Sequence, residues 1–133
     1  MIIAKNDMGT TYFHKDESLL VSNYIGRVKL DLVVEHLSNI IIFYQNNPGR
    51  VKKSVVDISK VLGSFAKVLE FLEKKYYTAA VDNGLKCQAY VASEDLMIKN
   101  LSARLEMLAS KFNIKSKVFC SLEEAKSWAK ETI

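Results

Sequence analysis

Three serines sit where this sequence could do chemistry: Ser64, Ser93 and Ser121 each open an expected helix directly after an expected strand. A helix start offers free backbone N–H groups and the positive end of the helix dipole, so a hydroxyl there either caps the helix or marks a place for an anion. Capping is the simpler reading for each. The functional one is an anion or phosphorylation site, centred on Ser59, Lys60, Gly63 and Ser64. That stretch has one Gly and one Lys, without the GxxxxGK[ST] or GxGxxG spacing that cradles nucleotide phosphates. His14 and His36 have no carboxylate or second imidazole at ligand or relay spacing, so neither metal binding nor general base catalysis follows from them. Cys87 and Cys120 lie inside apolar runs with no CxxC pattern and are expected as two buried, reduced thiols. Cys120 also precedes a helix start, where a thiol pKa can fall, but the sequence supplies it with no basic partner. No cofactor, metal or catalytic residue is expected.

The elements that must position these residues follow from periodicity. Ile2 to Lys5, Thr10 to Lys15 and Leu19 to Ile25 are short, rich in β-branched and aromatic residues, and read as antiparallel strands. From Leu30 the spacing becomes helical, with Val33, Val34, Leu37, Ile40, Ile41 and Tyr44 on one face, until Asn46-Asn47-Pro48-Gly49 makes a turn. Lys53 to Ser59 is the next strand. A second helix then starts at Gly63 and Ser64, with Phe65, Val68, Leu69, Leu72 and Tyr76 on its buried side. Leu85 to Ala92 is a strand, followed by a helix carrying Met97, Leu101, Leu105, Leu108 and Phe112 on one stripe. Lys117 to Cys120 is the last strand. Ser121 and Glu124 form a capping box for a final helix with Leu122, Ala125, Trp128 and Ala129.

Strand and helix therefore alternate after an N-terminal antiparallel hairpin. The expected class is α/β, a mixed sheet whose later strands are parallel because helical crossovers join them. The chain of 133 residues suits one domain, residues 1–133, with a core large enough to need no disulfide. No run approaches the ~20 apolar residues of a membrane span, and the start, MIIAKND, lacks the build of a secretory signal, so a cytoplasmic setting without integral membrane association is expected.

Nineteen Lys and Arg against fifteen Asp and Glu leave a net charge of +4, too little to call for nucleic acid. The excess concentrates between Gln45 and Lys75, where Arg50, Lys52 and Lys53 follow a helix end that favours cations anyway. The aromatic residues of that stretch, Phe65 and Phe71 among them, follow helical spacing and offer no stacking platform for single strands.

The segment YVASEDLMIKNLSARLEMLASKF, with Arg104 near the middle of its helix, and then KVFCSLEEAKSWAKE, resembles the SpoIIAA-like (STAS/CRAL-TRIO-like) family of bacterial proteins. Val118, Phe119, Leu122, Glu123, Glu124, Ala125 and Trp128 carry the likeness at the C-terminal end, and the order of elements carries it before Leu85. The resemblance implies a mixed sheet flanked by helices and no enzymatic activity. Relatives include anti-sigma-factor antagonists, whose phosphorylated serine stands in an Asp-Ser-Ser-Gly element at the second helix start. Here Val61-Leu62-Gly63-Ser64 occupies that place and departs from the pattern. A regulatory module that docks a protein partner or pairs with itself as a homodimer, through the Ser59 to Ser64 loop and the second helix, is the expected function. The alternative is a carrier or sensor of a lipid or other small apolar ligand, held between sheet and helices near Phe65, Phe71, Tyr76 and Tyr77.

Overall fold

A computed structural model describes residues 1–132. Three strands, β1 (Ile2–Asn6), β2 (Gly9–His14) and β3 (Leu19–Arg27), form an antiparallel meander. A crossover through helix α1 (Leu30–Asn46) leads to β4 (Lys53–Leu62), which pairs parallel with β3. Helices α2 (Ala66–Phe71) and α3 (Tyr77–Asp82) follow, then β5 (Cys87–Val91), α4 (Leu96–Lys111), β6 (Lys115–Phe119) and α5 (Leu122–Glu131). The six-stranded sheet keeps strict sequence order, β1 to β6, with all pairs from β3 onward parallel. Crossovers of one hand between successive neighbours place every crossover helix on the same face. Residues of α1, α2, α3 and α4 accordingly share one core cluster, while α5 covers the other face with Ala125 and Ala129 against Leu19, Val21, Val55, Ala89 and Val91.

The mixed α/β class and the order of elements agree with the expectation, and four local expectations are corrected. Strand β4 does not end at Ser59. It carries a bulge in which Ile58 and Ser59 stand against Tyr24, because the register moves from Asn23 opposite Asp57 to Ile25 opposite Lys60. The Asp57 carboxylate stabilises the bulge by accepting from Ser59 N at 2.9 Å and Ser59 Oγ at 2.6 Å. The extra residue resets the alternation, so Ile58 and Val61 both enter the helix-covered core.

The second correction concerns the second helix. Phe65, not Ser64, stands at the N-cap position of α2, and a π-helical turn, Leu72–Tyr76, joins α2 to α3. The wider turn rotates the face that follows, and both Tyr76 and Tyr77 are buried. In α4 the buried face is Ile98, Leu101, Ser102, Leu105, Leu108 and Ala109, while Met97 points out with 63% of its surface exposed. Asp95 rather than Ser93 caps this helix, accepting from Met97 N at 2.9 Å and Ile98 N at 3.3 Å. Lastly, Cys87 is buried but Cys120 is exposed. Ser121 caps α5 as expected, accepting from Glu124 N at 3.4 Å.

Most polar side chains beneath the helices pair with one another, while His36 Nδ1 and the Tyr44 hydroxyl have no partner. Gln88 on β5 donates from Nε2 to Ser54 Oγ on β4 at 3.1 Å, and its Oε1 receives the hydroxyls of Tyr77 at 2.6 Å and Tyr90 at 2.8 Å. Nearby, Thr11 Oγ1 lies 2.8 Å from Ser22 Oγ and 2.8 Å from His36 Nε2, joining β2, β3 and α1. Burial pushes the phenols of Tyr24, Tyr44, Tyr76, Tyr77 and Tyr90 upward, so all five stay neutral.

Burial likewise lowers the pKa of His36 below its ordinary 6.5, with Glu35 opposing in part. The folded state therefore keeps His36 neutral where the unfolded chain already binds a proton. Its contribution is full above pH 6.5 and is lost as the pH falls below that value toward the folded pKa. Urea unfolding of the wild type and a His36→Gln variant should show the wild type losing more stability than the variant between pH 7 and pH 5. Parallel stability curves would place the imidazole in contact with water. At the other end of the sheet, Gly63 adopts φ +95°, and a Cβ there would meet its nearest atoms at 3.7 Å, an ordinary contact. Gly63→Ala should thus cost about 1–2 kcal/mol in urea unfolding through backbone conformation alone.

Candidate functional site

At the carboxyl ends of β4 and β5 the chain leaves the sheet for α2 and α4, and the two exits enclose a surface cleft of about 260 Å³. Val61, Phe65, Ile98 and Leu101 contribute its apolar part, and Gly63, Ser64, Asp95 and Arg104 its polar part. Two large apolar side chains also border it and lie open, Leu62 at 57% exposure and Met97 at 63%, with exposed Leu96 next to Met97. Such side chains are ordinary one at a time; gathered around one concavity they form a surface suited to contact with another molecule.

The structure separates the residues expected to form one loop. Ser59 and Lys60 belong to β4, where Ser59 is held by Asp57 and Lys60 is exposed beside buried Val61. Gly63 and Ser64 alone make the turn. The Ser64 hydroxyl is exposed and accepts weakly from Ala66 N at 3.4 Å. Arg27, paired with Leu62 in the β3–β4 ladder, brings its Nη1 within 3.8 Å of where a Gly63 Cβ would stand. Met97 was expected in the core stripe of its helix rather than at this cleft, and Arg27 had no expected place there. The adjacent pair Leu96-Met97, ahead of a helix stripe that needs only one of them, was the available signal.

A second concavity lies inside, between the sheet and α1, α2, α3 and α4. Its volume is about 50 Å³, lined by Tyr24, Tyr76, Tyr77 and Tyr90 with Ser22, Gln88 and apolar neighbours. Tyr76 and Tyr77 are therefore core residues that face a cavity rather than an exposed seam, and half-buried Phe71 does not border it. Phe65 borders both this cavity and the cleft. An engineered cavity that admits benzene measures roughly 150 Å³, so the space of about 50 Å³ found here is well short of one that holds a small apolar ring.

Residues with catalytic potential are dispersed. His14 is exposed on β2, His36 is buried against Thr11, and Cys87 is buried. The Cys120 Sγ lies 3.9 Å from Glu94 Oε1, a carboxylate where an activated thiol would have a cation. Among the described residues no group of three or more His, Cys, Asp and Glu is placed to hold a metal ion, and no helix is long and apolar enough to cross a membrane.

No protein-family model matches the chain, and no curated protein matches it. Among solved structures it is similar to the crystal structure of an anti-sigma factor antagonist from Mycobacterium paratuberculosis, with a TM-score of 0.55 and 17% identity. The match covers 96% of this chain and 99% of that one. The likeness is one of fold alone, along nearly the whole of both chains.

Proposed function

We propose that this protein is a regulatory domain of the SpoIIAA-like kind, without catalytic activity of its own, that docks a protein partner at the cleft between the β4–α2 turn and α4. The observation that carries the reading is the set of exposed apolar side chains, Leu62, Leu96 and Met97, gathered at this one end of the sheet. A fold shared along nearly the whole chain with an anti-sigma factor antagonist supports it. Fold alone does not assign an activity, so the argument rests on the cleft.

Ser64 is the residue through which such docking would be switched. It is exposed, it lines the same cleft as Arg104, and Arg27 lies close to the neighbouring Gly63. A phosphate there would add about two negative charges to a largely apolar cleft.

Purification of the tagged chain from its own cells tests the reading. A Leu62→Ser/Met97→Ser double variant should keep its urea midpoint, since both side chains are already exposed, yet retain less than about a tenth of the partner recovered by the wild type. Ser64→Asp should lower recovery and Ser64→Ala should not. Equal recovery by the double variant would place docking elsewhere on the molecule.

A further inference from the structure

The cavity beneath the helices offers more hydrogen bonds than the fold uses. Four tyrosines line it, and two of them are satisfied, since the hydroxyls of Tyr77 and Tyr90 pair with Gln88 and with each other. Tyr24 and Tyr76 are only 9% and 4% exposed, yet their hydroxyls make no direct hydrogen bond among the described residues. Their neighbours do not supply one. Thr11 and Ser22, near Tyr24, are taken up by each other and by His36, and the Tyr44 hydroxyl, near Tyr76, is itself without a partner. A buried hydroxyl left unpaired is costly, so two of them around one empty space point to a molecule that fills it.

The wall restricts what that molecule can be. No charged residue lines the cavity, and Val33, Leu37, Ile58, Val68 and Leu72 make much of the rest of it carbon. An ion would lose its hydration there with no counter-charge, and a purely apolar molecule would leave both hydroxyls unpaired. Size is set by Phe65. Its half-buried ring closes the cavity of about 50 Å³ off from the surface cleft of about 260 Å³, and only with the ring aside do the two reach the roughly 300 Å³ at which ligand pockets begin. The segment that carries the ring is lightly tied: Phe65 itself holds the N-cap position without a capping side chain, α2 is six residues long, and the π turn follows at once.

We propose that cavity and cleft are two ends of one small-molecule site closed by Phe65, and that its ligand is neutral, ring-sized and carries a carbonyl or hydroxyl oxygen for Tyr24 and Tyr76. Burial keeps both phenols protonated, so each can donate to that oxygen. The site is separate from the docking reading above. It needs no partner protein, and its failure would leave the cleft as a docking surface.

Cyclohexanone, an apolar ring with one carbonyl, is the probe, titrated into the full chain with its Val, Leu and Ile methyl groups labelled for NMR. Saturable shifts are expected at Val33, Leu37, Val68 and Leu72, and none at Leu19, Val21 or Val55 beneath α5. Phe65→Ala should lower the Kd of the probe about tenfold by removing the wall, and Tyr24→Phe/Tyr76→Phe should raise it about tenfold. Cyclohexanecarboxylate, the same ring with a charge, should leave the cavity methyl groups unmoved. Absence of saturable shifts at these methyl groups in both the wild type and Phe65→Ala overturns the proposal. A Kd unchanged by loss of both hydroxyls overturns it too, and so does equal binding of the carboxylate by the wild type, a comparison that needs no variant to fold.

Discussion

Gln88 holds the layers of this protein together. One amide side chain reaches Ser54 on the neighbouring strand and receives the hydroxyls of Tyr77 from α3 and Tyr90 from its own strand, while the Tyr90 hydroxyl also lies 3.4 Å from the Leu105 carbonyl of α4. In a buried, low-dielectric place each of these bonds is stronger than in water, and each group would be costly to leave unpaired. A purely apolar interior would let the helices slide on the sheet with little penalty. The Gln88 cluster, seconded by Thr11, Ser22 and His36 across β2, β3 and α1, ties α1 and α3 to a definite place on the sheet.

That constraint explains the second helix. Tyr77 must point inward to meet Gln88, and Tyr76 must point inward to pack edge-on against Tyr44, with ring centroids 6.1 Å apart. Successive residues of a regular helix diverge by about 100°, so the π turn is what lets two neighbours serve one interior. It also leaves the small tyrosine-lined cavity, since rings of this size do not close every gap around a rotated turn. Phe65 borders that cavity on one side and the surface cleft on the other, so the two spaces share one wall.

Long periodic patterns were legible in the sequence because burial on one face leaves a regular trace. The order of strands and helices, the Asn-Asn-Pro-Gly turn and the Ser121 cap all follow from residue spacing. Where reading failed, a local hydrogen bond or an irregular turn had broken the period. Ser59 looked like a strand end because the bulge held by Asp57 interrupts alternation just there. Met97 looked like the first core residue of α4 because the cap was sought at Ser93, and moving it to Asp95 brings Ile98 inward instead. The site was only half visible for the same reason. Gly63 and Ser64 announce a turn, but the approach of Arg27 from β3 and Arg104 from α4 depends on strand pairing and helix placement that no local pattern encodes.

Amide hydrogen exchange of the protein, alone and with the partner recovered from its cells, tests the central claim that a rigid interior presents the cleft as its docking surface. Slow exchange in both states is expected for β4 and β5 around the Gln88 cluster, with added protection on binding confined to Val61 through Ala66 and Asp95 through Arg104. Protection appearing instead on α5 or on the β1–β2 hairpin, or spread evenly over the chain, would contradict the account.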